Sequence, residues 1–195
     1  MEEALIKTIS QYASLPEEEI PLVLSNFELK KYKRGETLLQ SGKVAHEVFF
    51  VVKGTLHQFY IDESGNERSC NFTFENEFVT DLESFSHQTC SASNIKTLEP
   101  SICYVISCLK LVALLKASSA MSKMFRITVE NIAAESIRRT KSLLSFSPEK
   151  QFLELIETKP EILQRIPQRY IAQYLGIAPE SLSRIRKRMM TAAKS

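Results

Sequence analysis

A short basic stretch near the C-terminus carries side chains that could read nucleic acid. At about 100° per residue, a helix over Pro179–Lys187 sorts its residues onto two faces. Leu182 and Ile185 fall on one face, available for packing. The opposite face presents Glu180, Ser183 and Arg184. Arginine can bind O6 and N7 of guanine, glutamate can accept from N4 of cytosine, and serine can serve either way. These three residues are therefore candidate base readers.

The residues before this helix predict a second helix packed against it. Ile171, Leu175 and Ile177 are the predicted apolar packing positions here, and the small Ala172 would allow two helices to approach closely. Gly176 can take the left-handed conformation at a helix end, and Pro179 suits the first turn of the next helix. This is the plan of a helix-turn-helix, whose second helix lies in a DNA major groove. The alternative is an amphipathic surface helix with a solvated charged face.

The charge distribution favours DNA as the partner. Residues 165–195 contain seven Lys or Arg and one Glu, a balance of +6, whereas the preceding residues contain 18 basic and 22 acidic residues, a balance of −4. Neutralised phosphates release condensed counterions, so a basic segment suits double-stranded DNA. The candidate phosphate-binding residues, which would position the protein without reading sequence, are Arg165, Arg169, Arg186, Lys187 and Arg188.

Nothing in the sequence predicts an enzyme or a metal site. No nucleophile, base and oxyanion donor come together, and no glycine-rich phosphate loop is present. The four cysteines form no C-x-x-C pair, which indicates reduced thiols: Cys70, Cys90, Cys103 and Cys108. Redox sensing is the alternative for them. No apolar run is long enough to span a bilayer, and the acidic start does not resemble a signal peptide, so we expect a cytoplasmic protein without membrane contact.

Short strands dominate the N-terminal part of the chain after two predicted helices. Val48–Val52 is an apolar run of strand length, and two further strands flank the turn Asp62–Asn66 as a hairpin. Short strands at close turn spacing predict a small antiparallel barrel or roll. We assign residues 1–109 to this sensor roll and its helices.

A long helix is predicted next, over residues 110–146, because this region lacks proline and glycine and has recurring apolar residues. Its stripe predicts a homodimer seam, with packing only within the monomer as the alternative. The predicted seam residues are Phe125, Val129, Ile132, Ser136 and Leu143. Ser147 and Pro148 predict the start of a new helix, so a hinge is expected there and residues 147–195 form the third domain.

This order of elements resembles the Crp/Fnr superfamily of bacterial transcription regulators. Glu180-Ser181-Leu182-Ser183-Arg184 is similar to the E-x-x-S-R recognition helix of the Fnr-type branch. The resemblance implies an α+β fold: an N-terminal antiparallel β-roll of the cyclic-nucleotide-binding-like type, a long dimerisation helix and a C-terminal winged helix-turn-helix. It also implies RNA polymerase as a further partner, and a half-site similar to TTGAT, with Arg184 on guanine and Glu180 near the paired cytosine. Pro179 and Ala178 depart from the pattern, replacing a base-contacting arginine and an N-capping Ser or Thr.

The resemblance also locates an effector pocket, but one with altered chemistry. The residues at the matching positions are Thr80, Asp81, Leu82, Ser91 and Ala92. Ser91 stands where cyclic-nucleotide binders place the arginine that pairs with phosphate, and no Lys or Arg lies between Arg68 and Lys96. We therefore expect no cyclic AMP binding, and no cofactor is implied.

A ligand-sensing or protein-interaction module without specific DNA binding is the rival interpretation of the whole protein.

Overall fold

The computed structural model describes residues 1–192, with side chains as far as Met189. The last residues of the predicted third domain, 193–195, lie outside the described residues. Residues 1–192 form eight strands: β1 Glu28–Tyr32, β2 Thr37–Leu39, β3 Glu47–Lys53, β4 Leu56–Ile61, β5 Glu67–Thr73, β6 Phe78–Val79, β7 Ser93–Thr97 and β8 Ser101–Ser107. The helices within residues 1–192 are α1 Glu2–Tyr12, α2 Ile20–Asn26, α3 Leu82–His87, α4 Cys108–Ala117, α5 Ser119–Ser145, α6 Pro148–Thr158, α7 Ile162–Arg165, α8 Gln168–Leu175 and α9 Pro179–Ala192. No helix in this part of the chain is long and apolar enough to cross a membrane.

The strands form two four-stranded sheets, which confirms the predicted antiparallel roll. One sheet has the order β1-β8-β3-β6 and the other the order β2-β7-β4-β5. In the first, β3 and β8 pair antiparallel with Phe49 opposite Val105 and Phe50 opposite Tyr104. Their apolar side chains explain this pairing, because Val48–Val51 are buried without interruption along β3.

The chain divides into two compact units, the first comprising residues 1–58 and 72–133. Its core contains fully buried side chains from both the strands and the helices, namely Leu5, Ile9, Phe50, Leu56, Ile95, Ile106, Leu114 and Met121. A tight turn at Gly54 joins β3 to β4. This residue has φ +105, and a Cβ built there would lie 2.2 Å from Ser101 Oγ, so only glycine fits without displacement.

The helix predicted over residues 110–146 is not continuous. Ser118 adopts an extended conformation between α4 and α5, and its backbone N–H donates to Leu114 O. Its Oγ accepts from Met121 N at 3.1 Å, which satisfies a backbone donor in the first turn of α5, and it also hydrogen-bonds Glu19. A serine cap therefore starts a new helix inside an apolar pattern that shows no break.

The second unit contains residues 59–71 of the β4–β5 hairpin and the residues from 134 onward. Ser147 caps α6 by accepting from Lys150 N at 3.3 Å, and Pro148 is the first helical residue, as predicted. The predicted wing is wrong for the described residues, because no strand follows Ser107 up to Ala192. The segment between α6 and α8 forms α7, a short helix between Pro160 and Pro167.

Candidate nucleic-acid interface and effector pocket

Helices α8 and α9 pack together through the residues that the sequence predicts. Ile171, Leu175, Leu182 and Ile185 are buried, and Ala172 is fully buried, which confirms this set as packing positions. Gly176 ends α8 with φ +68, in the left-handed region that glycine adopts at low cost. Ile177 is only partly buried. The turn therefore fixes α9 through apolar contacts on one of its faces.

The other face of α9 presents the three candidate base readers to solvent. Glu180, Ser183 and Arg184 are all exposed. Arg184 Nη2 donates to Ser181 Oγ at 3.2 Å, a bond that holds the guanidinium beside the first turn of the helix. The structure thus places a carboxylate, a hydroxyl and a guanidinium on one exposed surface.

The candidate phosphate-binding residues differ in their surroundings. The Arg169 guanidinium lies 4.6 Å from the ring centroid of Tyr170, and its Nη2 donates to the Tyr170 hydroxyl at 2.9 Å. Arg188 Nη2 forms an ion pair with Glu149 Oε2 at 2.9 Å. Lys187 is exposed, and Arg165 and Arg186 are partly buried. Arg188 is therefore already paired with a carboxylate of α6.

In the first unit, the carboxylate of Asp81 forms the centre of the predicted effector pocket. Asp81 Oδ2 accepts from Ser91 Oγ at 2.5 Å and from Ser93 Oγ at 2.8 Å, and Oδ1 caps α3 by accepting from Ser84 N. Gln58 Nε2 in turn donates to Ser93 Oγ at 3.0 Å. The carboxylate is thus satisfied by hydroxyls of the protein itself.

The hydrogen bonds also set the charge of this carboxylate. Burial acts to raise the pKa of Asp81, but the hydroxyls of Ser91 and Ser93 and the N–H of Ser84 outweigh it and hold the pKa below its usual value. The site therefore carries a fixed negative charge at neutral pH.

The other predicted pocket residues do not join this network in the same way. Thr80 Oγ1 donates to Glu47 O at 2.9 Å, away from the carboxylate. Leu82 is partly buried as the first residue of α3, and Ala92 is exposed between the two buried serines. Of the five predicted residues, the structure joins Asp81 and Ser91 through side-chain atoms.

The predicted seam residues on α5 differ in exposure. Phe125 packs partly against the core of the first unit, and Val129 is partly buried. Ile132 is 39% exposed and Leu143 is 49% exposed, although both are large apolar side chains, and Ser136 is exposed. Apolar surface is therefore available on this helix from Ile132 onward.

The cysteines and histidines form no metal site among the residues that the structure describes. All four cysteines are free thiols. Burial raises the pKa of Cys103 to about 12, which keeps this thiol protonated at neutral pH.

Sequence reasoning missed several residues that the structure brings to these sites. Ser93 could have been found, because it is a hydroxyl residue only two positions from Ser91, at the start of β7. Arg139 and Glu149 gave no local signal, since their partners Tyr174 and Arg188 lie 35 and 39 residues away.

Comparisons with known proteins agree with this architecture. Residues 29–118 match the model of the cyclic nucleotide-binding domain. A sequence comparison with curated proteins gives no significant match.

Solved structures are similar along most of the chain. The regulator CLP of Xanthomonas campestris, described as responsive to c-di-GMP, has a TM-score of 0.72 at 16% identity over 91% of this chain and 93% of its own. FixK2 of Bradyrhizobium japonicum has a TM-score of 0.72 at 13% identity over 86% of each chain. A candidate Crp/Fnr regulator from Eubacterium rectale has a TM-score of 0.69 at 14% identity over 91% of this chain and 85% of its own. The chain thus combines a roll that matches the cyclic nucleotide-binding domain model with C-terminal helices, in a fold similar to that of Crp/Fnr-type regulators.

Proposed function

We propose that this protein is a homodimeric, sequence-specific DNA-binding transcription regulator that reads paired half-sites with α9. The amphipathic geometry of α9 carries the proposal. Leu182 and Ile185 hold the helix by one face, which leaves Glu180, Ser183 and Arg184 exposed on the other, within a segment of balance +6. Helix-turn-helix dimers read two half-sites about one helical turn apart. Contact with RNA polymerase at the promoter is part of the proposal.

Selection of bound sequences from a random duplex pool tests this function. We expect an enriched inverted repeat with a guanine in each half-site. Arg184→Ala should then cost about 1–3 kcal/mol on the selected duplex and relax the preference at the guanine. Arg169→Ala is the matched control, because a phosphate contact supports all duplexes and its loss weakens them about equally.

Two results would contradict the proposal. Equal losses for Arg184→Ala on selected and random duplexes would remove its role as a base reader. No enriched sequence, with an affinity that stays flat as salt rises, would favour a protein-interaction module, since DNA binding must weaken steeply with salt through counterion release.

The dimer is tested on α5. Ile132→Glu places a charge in the proposed seam and should halve the molecular mass measured by light scattering. Ile137→Glu is the matched control: Ile137 is 71% exposed and lies about 140° around the helix from Ile132. Dissociation by Ile137→Glu alone would place the seam elsewhere.

We further propose that the roll does not bind cyclic AMP. The Asp81 carboxylate accepts from Ser91 and Ser93, and a serine stands where a cation would pair with the cyclic phosphate. Cyclic AMP and cyclic GMP should therefore leave the melting temperature unchanged. A rise that grows with nucleotide concentration would contradict this, because a ligand that binds only the native state must stabilise it.

A further inference from the structure

Helix α8 is held by two side chains from outside the helix-turn-helix. Ser69 of β5 donates from Oγ to Gln173 Oε1 at 3.1 Å. Arg139 of α5 contacts the next residue, Tyr174: its guanidinium carbon lies 3.8 Å from the ring centroid, and Nη2 donates to the backbone oxygen of Tyr174. Both contacts lie within the second unit. They act on the last turn of α8, directly before the turn that leads into α9.

The backbone shows why Arg139 matters at this point. The last carbonyls of a helix lack partners within the helix. The turn at Gly176 satisfies two of them, since Gly176 N donates to Gln173 O at 3.1 Å and Ile177 N donates to Ala172 O at 3.0 Å. Arg139 supplies the donor for Tyr174 O. A cation at a helix C-terminus also complements the helix dipole.

An arginine at position 139 is better suited to positioning the end of α8 than to filling an apolar core. Arg139 is partly buried, and burial lowers the pKa of its guanidinium while Tyr174 and Glu154 act in the opposite direction. Taking a charge out of water is costly, so such a group adds little stability compared with an apolar side chain. Its planar guanidinium can stack on an aromatic ring and donate a directed hydrogen bond at the same time. The ammonium group of lysine cannot make both contacts.

We propose that Arg139 is a positioning residue for DNA reading: it fixes the C-terminal end of α8, and thereby the turn into α9, while Ser69 holds the adjacent Gln173. The inference rests on the proposed function, because it assigns these contacts a role in placing the reading helix. Neither residue belongs to the reading face, and neither touches DNA in this assignment.

The test compares Arg139→Ala, Arg139→Lys and Ser142→Ala for binding to the selected duplex and to a random duplex. Ser142 is the matched control, since it is buried three residues further along α5 and donates to Glu154 of α6 at 2.9 Å. A hydrogen bond from a charged group is lost in Arg139→Ala, so affinity for the selected duplex should fall about tenfold. Binding to random duplex should change roughly two- to threefold at most, because phosphate contacts supply it.

The conservative variant separates positioning from charge. Arg139→Lys keeps the positive charge but loses the planar guanidinium that stacks on Tyr174. It should therefore show most of the loss in specific affinity that Arg139→Ala shows. Ser142→Ala should lower the melting temperature while leaving specific affinity within about twofold, since its hydrogen bond runs to α6 and leaves the bond from Arg139 to Tyr174 O in place. Ser69→Ala should give a smaller loss than Arg139→Ala, because a neutral hydrogen bond is weaker than one from a charged donor.

Hydrogen exchange gives a readout independent of DNA. The amides of Gly176 and Ile177, which close the turn, should exchange at least about tenfold faster in Arg139→Ala than in the wild type, with little change in the amides of α6. This comparison stands even if the wild type selects no duplex, which would contradict the proposed function but not the positioning contact. If Arg139→Ala fails to fold, Arg139→Lys and Ser69→Ala carry the test.

Three results would overturn the inference. Wild-type specific affinity in folded Arg139→Ala would remove its role in placement. An equal loss in Ser142→Ala would show general loosening of the unit. Unchanged exchange at Gly176 and Ile177 would show that the turn holds without Arg139.

Discussion

The ion pair between Glu149 and Arg188 predicts that removal of an acidic residue strengthens DNA binding. Arg188 Nη2 lies 2.9 Å from Glu149 Oε2, and both side chains are largely exposed, at 64% and 42%. In the proposed complex Arg188 contacts a phosphate, so the Glu149 carboxylate competes with DNA for the same guanidinium. Glu149→Gln removes this competition while keeping the shape of the side chain.

The expected magnitude follows from the exposure of the pair. Exposed ion pairs contribute about 0.2–1 kcal/mol, so two protomers would release about 0.4–2 kcal/mol, or roughly a 2- to 30-fold gain in affinity. If Arg188 gains one phosphate in each protomer, the slope of log affinity against log salt becomes steeper by up to about 1.8 for the dimer. Protein stability should change by less than about 1 kcal/mol, because the pair is screened by solvent.

Fluorescence anisotropy of a labelled duplex across a salt series measures both quantities. Glu157→Gln is the control for net charge, since Glu157 is an exposed carboxylate on the same helix. The double variant Glu149→Gln/Arg188→Ala should lose the gain. The reasoning is refuted if Glu149→Gln and Glu157→Gln change affinity and slope equally, or if Glu149→Gln weakens binding.

Two further predictions concern the roll. The pKa of Asp81 is lowered in the folded state, so its contribution to stability is present above the ordinary carboxyl pKa and is lost as pH falls through the lowered value. Acid unfolding followed by circular dichroism should lose this component in Asp81→Asn. An unchanged acid transition would contradict the assignment. Gly54→Ala should destabilise the protein by about 1–3 kcal/mol in urea unfolding, because its Cβ would lie 2.8 Å from the backbone of Ser101. Gly65→Ala is the control, with a similar positive φ and open space around it, and an equal loss there would assign the cost to conformation alone.

The two helices α8 and α9 and the turn between them could be predicted in detail because their signals are local. Gly176 and Pro179 mark the end of one helix and the start of the next, and the spacing of Ile171, Leu182 and Ile185 predicts their burial. The antiparallel roll could be predicted too, since short strands between turn residues leave few other arrangements. The two four-stranded sheets confirm it. These features depend on neighbours within a few residues.

Competing local signals explain the elements that the sequence did not predict. Ser118 interrupts a region with no glycine or proline, and its capping bond to Met121 N outweighs the continuous apolar pattern. The wing was implied by resemblance rather than by the residues themselves. The segment between Pro160 and Pro167 forms the short helix α7.

The effector pocket shows how one substitution changes a site beyond its own position. By resemblance to cyclic-nucleotide binders, Asp81 stands at a pocket position and Ser91 at the position of an arginine, which predicts only the loss of a contact to phosphate. In the structure, Ser91 and Ser93 both donate to the carboxylate and lower its pKa. In the proposed pocket, the ionised acid of Asp81 is therefore already engaged by two hydroxyls, and no cation stands at the position of Ser91.

The position of α9, the proposed reading helix, depends on other residues than those of its proposed reading face. Helical periodicity in the sequence is enough to predict that Glu180 and Arg184 lie on the same face of α9. The contacts that place α8 come from Ser69 and Arg139, which lie 104 and 35 residues from their partners in the chain. They are polar contacts with directional geometry, so they specify one arrangement while adding little stability. Periodicity therefore predicts what the surface can read, whereas its orientation depends on pairings that only the folded chain brings together.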